Sequence, residues 1–139
     1  MNLINTATGH HDILHLAIPA LNLEDSIEFY LKIGAKLGRK TSSWAIFNFV
    51  NLQLVLHKSQ EIDESPSMYP RHFGVIVNDD KKFLHYHDLA KRNELKFFKE
   101  CFSRYAGTFA EHKSFFICDP SNNLIEFKWY RNIASVFGK

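Results

Sequence analysis

The chain has 139 residues, of which 45% are apolar, and its formal net charge is +2. This length supports one domain with a sizeable core, or two half-size modules that share a core. The apolar content excludes a disordered chain, and the scattered basic residues exclude the charge runs that follow nucleic acid. We therefore expect a globular protein that binds neither nucleic acid nor a membrane surface.

The N-terminal stretch "MNLINTATGHHD" lacks the basic and then apolar pattern of a signal peptide, and no stretch is long enough to span a bilayer. Two cysteines, Cys101 and Cys118, are too few for a disulfide framework and lack the spacing of a metal site. We predict a cytoplasmic protein in which both cysteines are reduced and serve as packing residues.

The first module is predicted over residues 13–58. "ILHLAIP" predicts a strand, and "NLEDSIEFYLKIG" predicts a helix with Asn22 as its N-cap and Gly34 just past its end. A weaker strand at 35–39 and the strands "SWAIFNFV" and "LQLVLHK" follow. The residues at helical spacing that we expect to be buried are Leu23, Ile27, Tyr30 and Leu31.

The second module repeats this order over residues 71–130, after a polar linker with two prolines at 59–70. Its predicted elements are the strand "RHFGVIV", the helix "DDKKFLHYHDLAKRN" and the strands "LKFFKECF", "HKSFFIC" and "NNLIEFKWY". A short helix is predicted within 131–139. The repeat predicts an α+β fold in which two βαβββ modules form a rolled mixed sheet around a cleft.

Four predicted strands pair an apolar face with a face that carries polar groups, because side chains alternate along a strand. In the first strand the apolar face is Leu14, Leu16 and Ile18. The opposite faces carry His15, Gln53, Val55, His57, His72 and Glu126.

Two histidines and one carboxylate from separate strands make a facial triad, which holds a divalent metal and leaves coordination positions open. We predict that His15, His72 and Glu126 are the metal ligands and line a metal-binding cleft. Imidazole and carboxylate suit Fe(II), Mn, Ni or Zn. The alternative is that the three side chains are merely solvated.

The chain resembles the vicinal oxygen chelate superfamily, which groups glyoxalases, bleomycin-binding proteins and extradiol dioxygenases. The resemblance runs over residues 13–130 and is carried by "HLAIPALNLEDSIEFYLKIGAKLGR", "HFGVIV" and "FFICDPSNNLIEFKWY". Asn122 stands where members usually have Gly, a mild departure because Asn tolerates the left-handed conformation. The resemblance implies metal binding by His15, His72 and Glu126, which the alternation of side chains also selects.

Individual members of the superfamily narrow the expected chemistry. Glyoxalase I-like enzymes typically add a second Glu from the fourth strand, where this chain has Val55. Extradiol dioxygenases place a histidine much like His57, which the resemblance implies is a general base for a substrate hydroxyl. The alternative is an ordinary histidine at a strand end. The tyrosine that dioxygenases have on the penultimate strand is replaced here by Phe115 or Phe116.

The resemblance therefore implies a metal-dependent enzyme, with Fe(II) favoured, that binds a small substrate through vicinal oxygens and is most like an extradiol dioxygenase. The alternatives are a glyoxalase-like lyase or isomerase and a non-catalytic bleomycin-type binding protein, although the latter typically lacks the triad. Fosfomycin-type chemistry would need a cluster of cations, for which Lys128 and Arg104 are the candidates. Exposed edge strands also predict a homodimer.

Overall fold

The computed structural model describes residues 11–138, and in them each module has its own four-stranded mixed sheet. The first module consists of β1 (His15–Ala20), α1 (Leu23–Lys32), β2 (Lys36–Lys40), β3 (Trp44–Phe49) and β4 (Leu52–Lys58). The second consists of β5 (Phe73–Val77), α2 (Asp80–Arg92), β6 (Phe97–Arg104), β7 (His112–Cys118) and β8 (Leu124–Tyr130), followed by a 3₁₀ turn at Ile133–Ser135. The α+β fold of two βαβββ modules is confirmed, with two open sheets where the sequence predicted one rolled sheet.

The two sheets have the same strand order. It is β1-β4-β3-β2 in the first and β5-β8-β7-β6 in the second. The last strand of each module pairs in parallel with the first strand, and the remaining pairs are antiparallel. Each module therefore brings the residues of its first and last strands side by side.

Helix α1 follows the predicted start, because the Asn22 side chain accepts a hydrogen bond from the backbone N–H of Asp25 at 3.0 Å. The predicted burial of Leu31 is wrong, since this side chain is 48% exposed and Phe29 is buried instead. The Phe29 ring packs edge-on against Tyr30, with 5.0 Å between centroids. At 100° per residue, Phe29 and Leu31 lie on opposite borders of the buried stripe, so helical spacing alone could not choose between them.

Strand β1 begins at His15, two residues later than the predicted strand "ILHLAIP". Leu14 lies before the strand and is 79% exposed, so its predicted place in the core is wrong. Leu16 is half-buried and Ile18 is buried, as the alternation of side chains predicted. The predicted face of this strand therefore holds only where the strand is paired with β4.

In the second module, α2 packs on one face of the sheet through aromatic contacts. Phe83 contacts Phe115 edge-on at 5.3 Å, and Tyr86 stacks on Phe127 at 4.6 Å. The opposite face carries a buried cluster of its own, formed by Phe116, Cys118 and Leu124 with Met68 and Phe102 packed against it. Glu126 is thus set into a strand that is covered on both faces.

The two cysteines differ in their surroundings. Cys118 is buried, which confirms its packing role, and burial raises the pKa of its thiol. Cys101 is exposed on the edge strand β6, so its predicted packing role is wrong.

The described residues fall into two compact units. One contains the residues up to Ser65 together with Pro120–Asn123, and the other contains Pro66–Asp119 and the residues from Leu124 onward. In the turn at 120–123, Asn122 has a φ of 65°, the left-handed conformation expected of it. No helix among residues 11–138 is long and apolar enough to cross a membrane.

Candidate metal centre

The second unit brings two of the three predicted ligands together. Gly74 of β5 pairs with Glu126 of β8, which places His72, two residues before Gly74, on the same face as the carboxylate. The distance from His72 Nε2 to Glu126 Oε1 is 3.3 Å. Their side chains are 24% and 11% exposed, respectively, so the pair is largely shielded from water.

The ring of His72 is held in one orientation. Its Nδ1 lies 2.5 Å from the carbonyl oxygen of Met68, which can only accept, so Nδ1 carries the proton and donates it. The ring also lies edge-on to Phe116, with 5.1 Å between centroids. Nε2 is left to face the Glu126 carboxylate, and two electron-rich atoms in this position need a proton or a cation between them. A carbonyl acceptor on the far nitrogen is the usual support of a metal-bound histidine.

Gly74 lets the two strands approach at this point. A Cβ atom at Gly74 would lie 2.0 Å from the backbone oxygen of Glu126 and 2.8 Å from its carbonyl carbon. Any larger residue would therefore have to push β5 away from β8. The strand pair that carries His72 and Glu126 requires glycine here.

His15 belongs to the first unit, where it is exposed. Its Nδ1 lies 2.8 Å from Oε1 of Gln53, its register partner on β4. As with His72, an oxygen acceptor on Nδ1 leaves Nε2 able to bind a cation. Within residues 11–138 no three His, Cys, Asp or Glu side chains form a metal-binding group, so the three-ligand set stays a prediction.

The strand registers give each site residue a counterpart in the other module. Ala17, two residues after His15, pairs with Val55, just as Gly74 pairs with Glu126. Val55 is therefore the counterpart of Glu126, which confirms the sequence-based alignment of the two strands. A valine cannot ligate a metal, so this position supplies no second carboxylate.

His57 is the corresponding counterpart of Lys128, one step further along each strand. It is exposed and pairs with Pro19 on β1 and Trp44 on β3. It shares the face of β4 that carries Gln53. Its role as a general base stays a prediction.

Comparison with known families shows which superfamily the chain belongs to. The model of the glyoxalase/bleomycin resistance protein/dioxygenase superfamily matches residues 12–127. The chain belongs to this superfamily. A comparison with functionally curated proteins finds no match.

Three solved structures share this fold. A glyoxalase/bleomycin resistance protein/dioxygenase from Alicyclobacillus acidocaldarius is 42% identical, with a TM-score of 0.86 and coverage of 90% of this chain and 96% of that one. The fosfomycin resistance protein FosX from Listeria monocytogenes is 16% identical, with a TM-score of 0.73 and coverage of 91% and 98%. A lactoylglutathione lyase from Agrobacterium tumefaciens is 18% identical, with a TM-score of 0.65 and coverage of 85% and 92%.

In this superfamily member, the sequence did not reveal two residues that lie near His72 and Glu126, namely Tyr69 and Ser114. The ring of Tyr69 lies edge-on to that of His72 at 5.9 Å, although Tyr69 falls in the predicted linker. Ser114 lies on β7, fully buried, in a stretch that reads as an apolar strand. Alternation of side chains assigns Ser114 and Phe116 to one face, and that was the available signal.

Proposed function

We propose that the chain is a divalent-metal-dependent enzyme that binds a small substrate through two neighbouring oxygens. The leading reaction is extradiol cleavage of a catechol-type ring. The observation that carries the proposal is the His72–Glu126 pair, in which Nε2 faces a carboxylate oxygen at 3.3 Å while Nδ1 lies against the Met68 carbonyl. This donor set fits a divalent metal, with His15 as the third ligand.

A bound metal would supply Lewis acidity toward the two substrate oxygens and, as Fe(II), reactivity with dioxygen. Two neutral imidazoles and one carboxylate leave the dication with a net positive charge, which favours ionised substrate oxygens. Mn, Ni or Zn would support enediolate or alkoxide chemistry with the same ligands. Val55 in place of a second carboxylate favours the three-ligand site over the four-ligand site typical of glyoxalase I.

The remaining roles fall to residues of the chain itself. The Met68 carbonyl accepts a hydrogen bond from Nδ1 of His72 and so orients Nε2 toward Glu126. The buried ring of Phe116 shields the pair from water, which strengthens its electrostatic interactions. His57 is proposed as the base that accepts the proton of a substrate hydroxyl, because a neutral imidazole nitrogen can accept a proton.

Metal content, measured by mass spectrometry on untagged protein, tests the proposal. We expect stoichiometric metal in the wild type, loss of it in Glu126→Gln and His72→Ala, and retention in Glu100→Gln, a control at an exposed carboxylate on the edge strand β6. Circular dichroism would show whether each variant keeps its fold. Absence of metal, with no uptake on reconstitution, would contradict the enzyme function and leave a ligand-binding protein.

Catalysis is tested next by oxygen consumption with catechols after reconstitution with Fe(II), Mn, Ni or Zn. For His57→Ala we expect a rate lower by about 10²–10⁴-fold with metal content unchanged, as for loss of a general base. An unchanged rate would show that His57 is an ordinary strand-end residue. Ring cleavage by none of the metal forms would favour the lyase chemistry.

A homodimer is proposed with this function. The first strand of each module is a sheet edge, and Ile13 and Leu14, next to β1, are 43% and 79% exposed. Sedimentation equilibrium tests it, and a monomer at micromolar concentration would contradict it.

A further inference from the structure

On the face of the second sheet that carries Glu126, the next row of paired residues contains a lysine and a serine, and we call it the Lys128 row. Lys128 on β8 pairs with Ser114 on β7, and Ser114 pairs with Phe102 on β6. The neighbouring row contains Glu126 and its partner Phe116. Two residues along a strand span about 6.6 Å, so the Lys128 row lies one such step from the carboxylate.

This face carries more cations than carboxylates. Lys128 Nζ lies 3.6 Å from Glu126 Oε1. Lys99 Nζ and Arg104 Cζ lie 5.1 and 5.2 Å from the centre of the Phe102 ring. Glu126, which contacts Lys128, is itself a predicted metal ligand. If Glu126 binds a metal, its carboxylate no longer neutralises the Lys128 ammonium group. The Lys128 side chain is only 23% exposed, so water compensates for this loss only in part.

Ser114 is a second and independent sign of a ligand. Its side chain is fully buried, and Oγ has no hydrogen-bond partner among residues 11–138. Buried hydroxyls are nearly always hydrogen-bonded, and one that is not costs free energy. As the register partner of Lys128, Ser114 presents this hydroxyl on the same face as the ammonium group.

Side-chain contacts connect the cationic groups to the His72–Glu126 pair. Arg104 Nη2 lies 3.4 Å from the phenol oxygen of Tyr69, and the Tyr69 ring lies against His72. The guanidinium and the ammonium groups are thus both linked to the pair, one through Tyr69 and the other through Glu126. An anion above Ser114 would have cations on two sides.

We propose that the Lys128 row binds an anionic group, carboxylate or phosphate, on the same small substrate whose neighbouring oxygens are bound at the metal pair. Lys128 and Arg104 supply the charge, and the Ser114 hydroxyl donates a hydrogen bond. The substrate class is therefore an anionic diol or hydroxycarbonyl compound, with its charge about 6–7 Å from the chelating oxygens. This inference rests on the proposed function.

The test compares two diols on the metal-loaded protein by isothermal titration calorimetry. 3,4-Dihydroxybenzoate and 4-methylcatechol share the chelating oxygens and differ in the carboxylate. We expect the benzoate to bind about tenfold tighter or more, as charge-assisted hydrogen bonds allow. This preference should fall in Lys128→Met and Arg104→Met, and persist in Lys81→Met, which removes one charge from exposed helix α2. Competition by inorganic phosphate or by acetate distinguishes the two anions.

Each outcome decides a different point. Equal affinity for the two diols overturns the anion site and leaves the proposed function standing. Binding of neither diol overturns the proposed function and the anion site with it. A preference that survives both Lys128→Met and Arg104→Met overturns the assignment of these residues.

Ser114→Ala supplies a separate readout. Because it removes a buried hydroxyl without a partner, we expect the ligand-free variant to unfold at the same or a higher urea concentration. It should nevertheless bind the benzoate several-fold more weakly, with methylcatechol binding unchanged. Unchanged benzoate binding would remove Ser114 from the site.

Discussion

At the scale of single residues, the geometry of the proposed ligands His72 and Glu126 depends on atoms that would not bind a metal themselves. The carbonyl of Met68 accepts a hydrogen bond from Nδ1 of His72, and the missing side chain of Gly74 lets β5 approach β8 closely. Gln53 gives His15 the same type of contact in the first unit. These contacts involve backbone or amide oxygens and a glycine. Substitutions at such positions would therefore move the proposed ligands without replacing them.

Gly74→Ala is expected to destabilise the protein by about 3 kcal/mol, because the added Cβ would meet the Glu126 backbone and the strands must shift. It should also weaken metal uptake, since Glu126 moves with β8. Urea denaturation and metal titration measure the two effects. The control is Gly107→Ala, at a glycine with φ of 77° and nothing within 4 Å of an added Cβ, where backbone strain alone costs about 1 kcal/mol. Equal destabilisation by the two substitutions would show that the close approach at Gly74 is unimportant.

The accuracy of the sequence-based predictions also differs from one residue to the next. Alternation of side chains along the strands correctly assigned Glu126 to the face opposite Ile125 and aligned Val55 with it, because that period is fixed by the backbone. Alternation does not give the depth of burial, so Leu14 was placed in the core although it is exposed. The number and spacing of the cysteines did not give it either, so Cys101 was predicted to be a packing residue although it is exposed. Tyr69 could not be found at all, since a linker has no period and its contact with His72 depends on the folded path of the chain.

At the scale of elements, the loop between β6 and β7 is held by one carboxylate. Glu111 accepts hydrogen bonds from the backbone N–H of Gly107, at 2.8 Å, and from Nε of Arg131 just past β8. The hydrogen bond from Arg131 and then that from Gly107 hold the pKa of the Glu111 carboxyl below its ordinary value. The loop is thus fastened to the end of β8 in part by a charge that acid removes, and in part by the hydrogen bond from the Arg131 backbone N–H to the Glu111 carbonyl.

Glu111→Gln is therefore expected to lower the melting temperature at neutral pH. A carboxyl with a lowered pKa in the folded state contributes stability that is present above the unfolded-state pKa of about 4.3 and lost as the pH falls through the lower folded-state value. The difference between wild type and variant should thus be constant near neutrality and shrink below about pH 4. Thermal unfolding from pH 7 to pH 3 measures it. A difference that stays the same throughout would mean that the charge of Glu111 is irrelevant to stability.

At the scale of the whole molecule, the compact units do not follow the sequence repeat. The repeat divides the chain at the linker, whereas the turn Pro120–Asn123, late in the second module, belongs to the first unit. In that unit Ser121 Oγ accepts from the backbone N–H of Leu21, at 2.8 Å, and Asn123 Nδ2 donates to the carbonyl of Pro19, at 2.9 Å. These bonds satisfy backbone groups at the end of β1 that the first module does not satisfy by itself. Internal similarity of the sequence shows which elements recur. It does not show that a turn of the second module forms its hydrogen bonds in the first unit.

Ser121→Ala tests this dependence. The Ser121 side chain is 1% exposed, and its hydrogen bond with the Leu21 N–H is part-buried. Because the substitution leaves this N–H without its acceptor, we expect the free energy of unfolding to fall by about 1–3 kcal/mol. Ser103→Ala, at an exposed serine on β6, is the matched control and should change stability by less than about 0.5 kcal/mol. Both variants are compared by urea denaturation, followed by circular dichroism. If they behave alike, the turn is only a connection between β7 and β8. If Ser121→Ala alone is destabilised, a residue from late in the chain completes the fold of the first unit, and residues 13–58 expressed alone would lack a part of it.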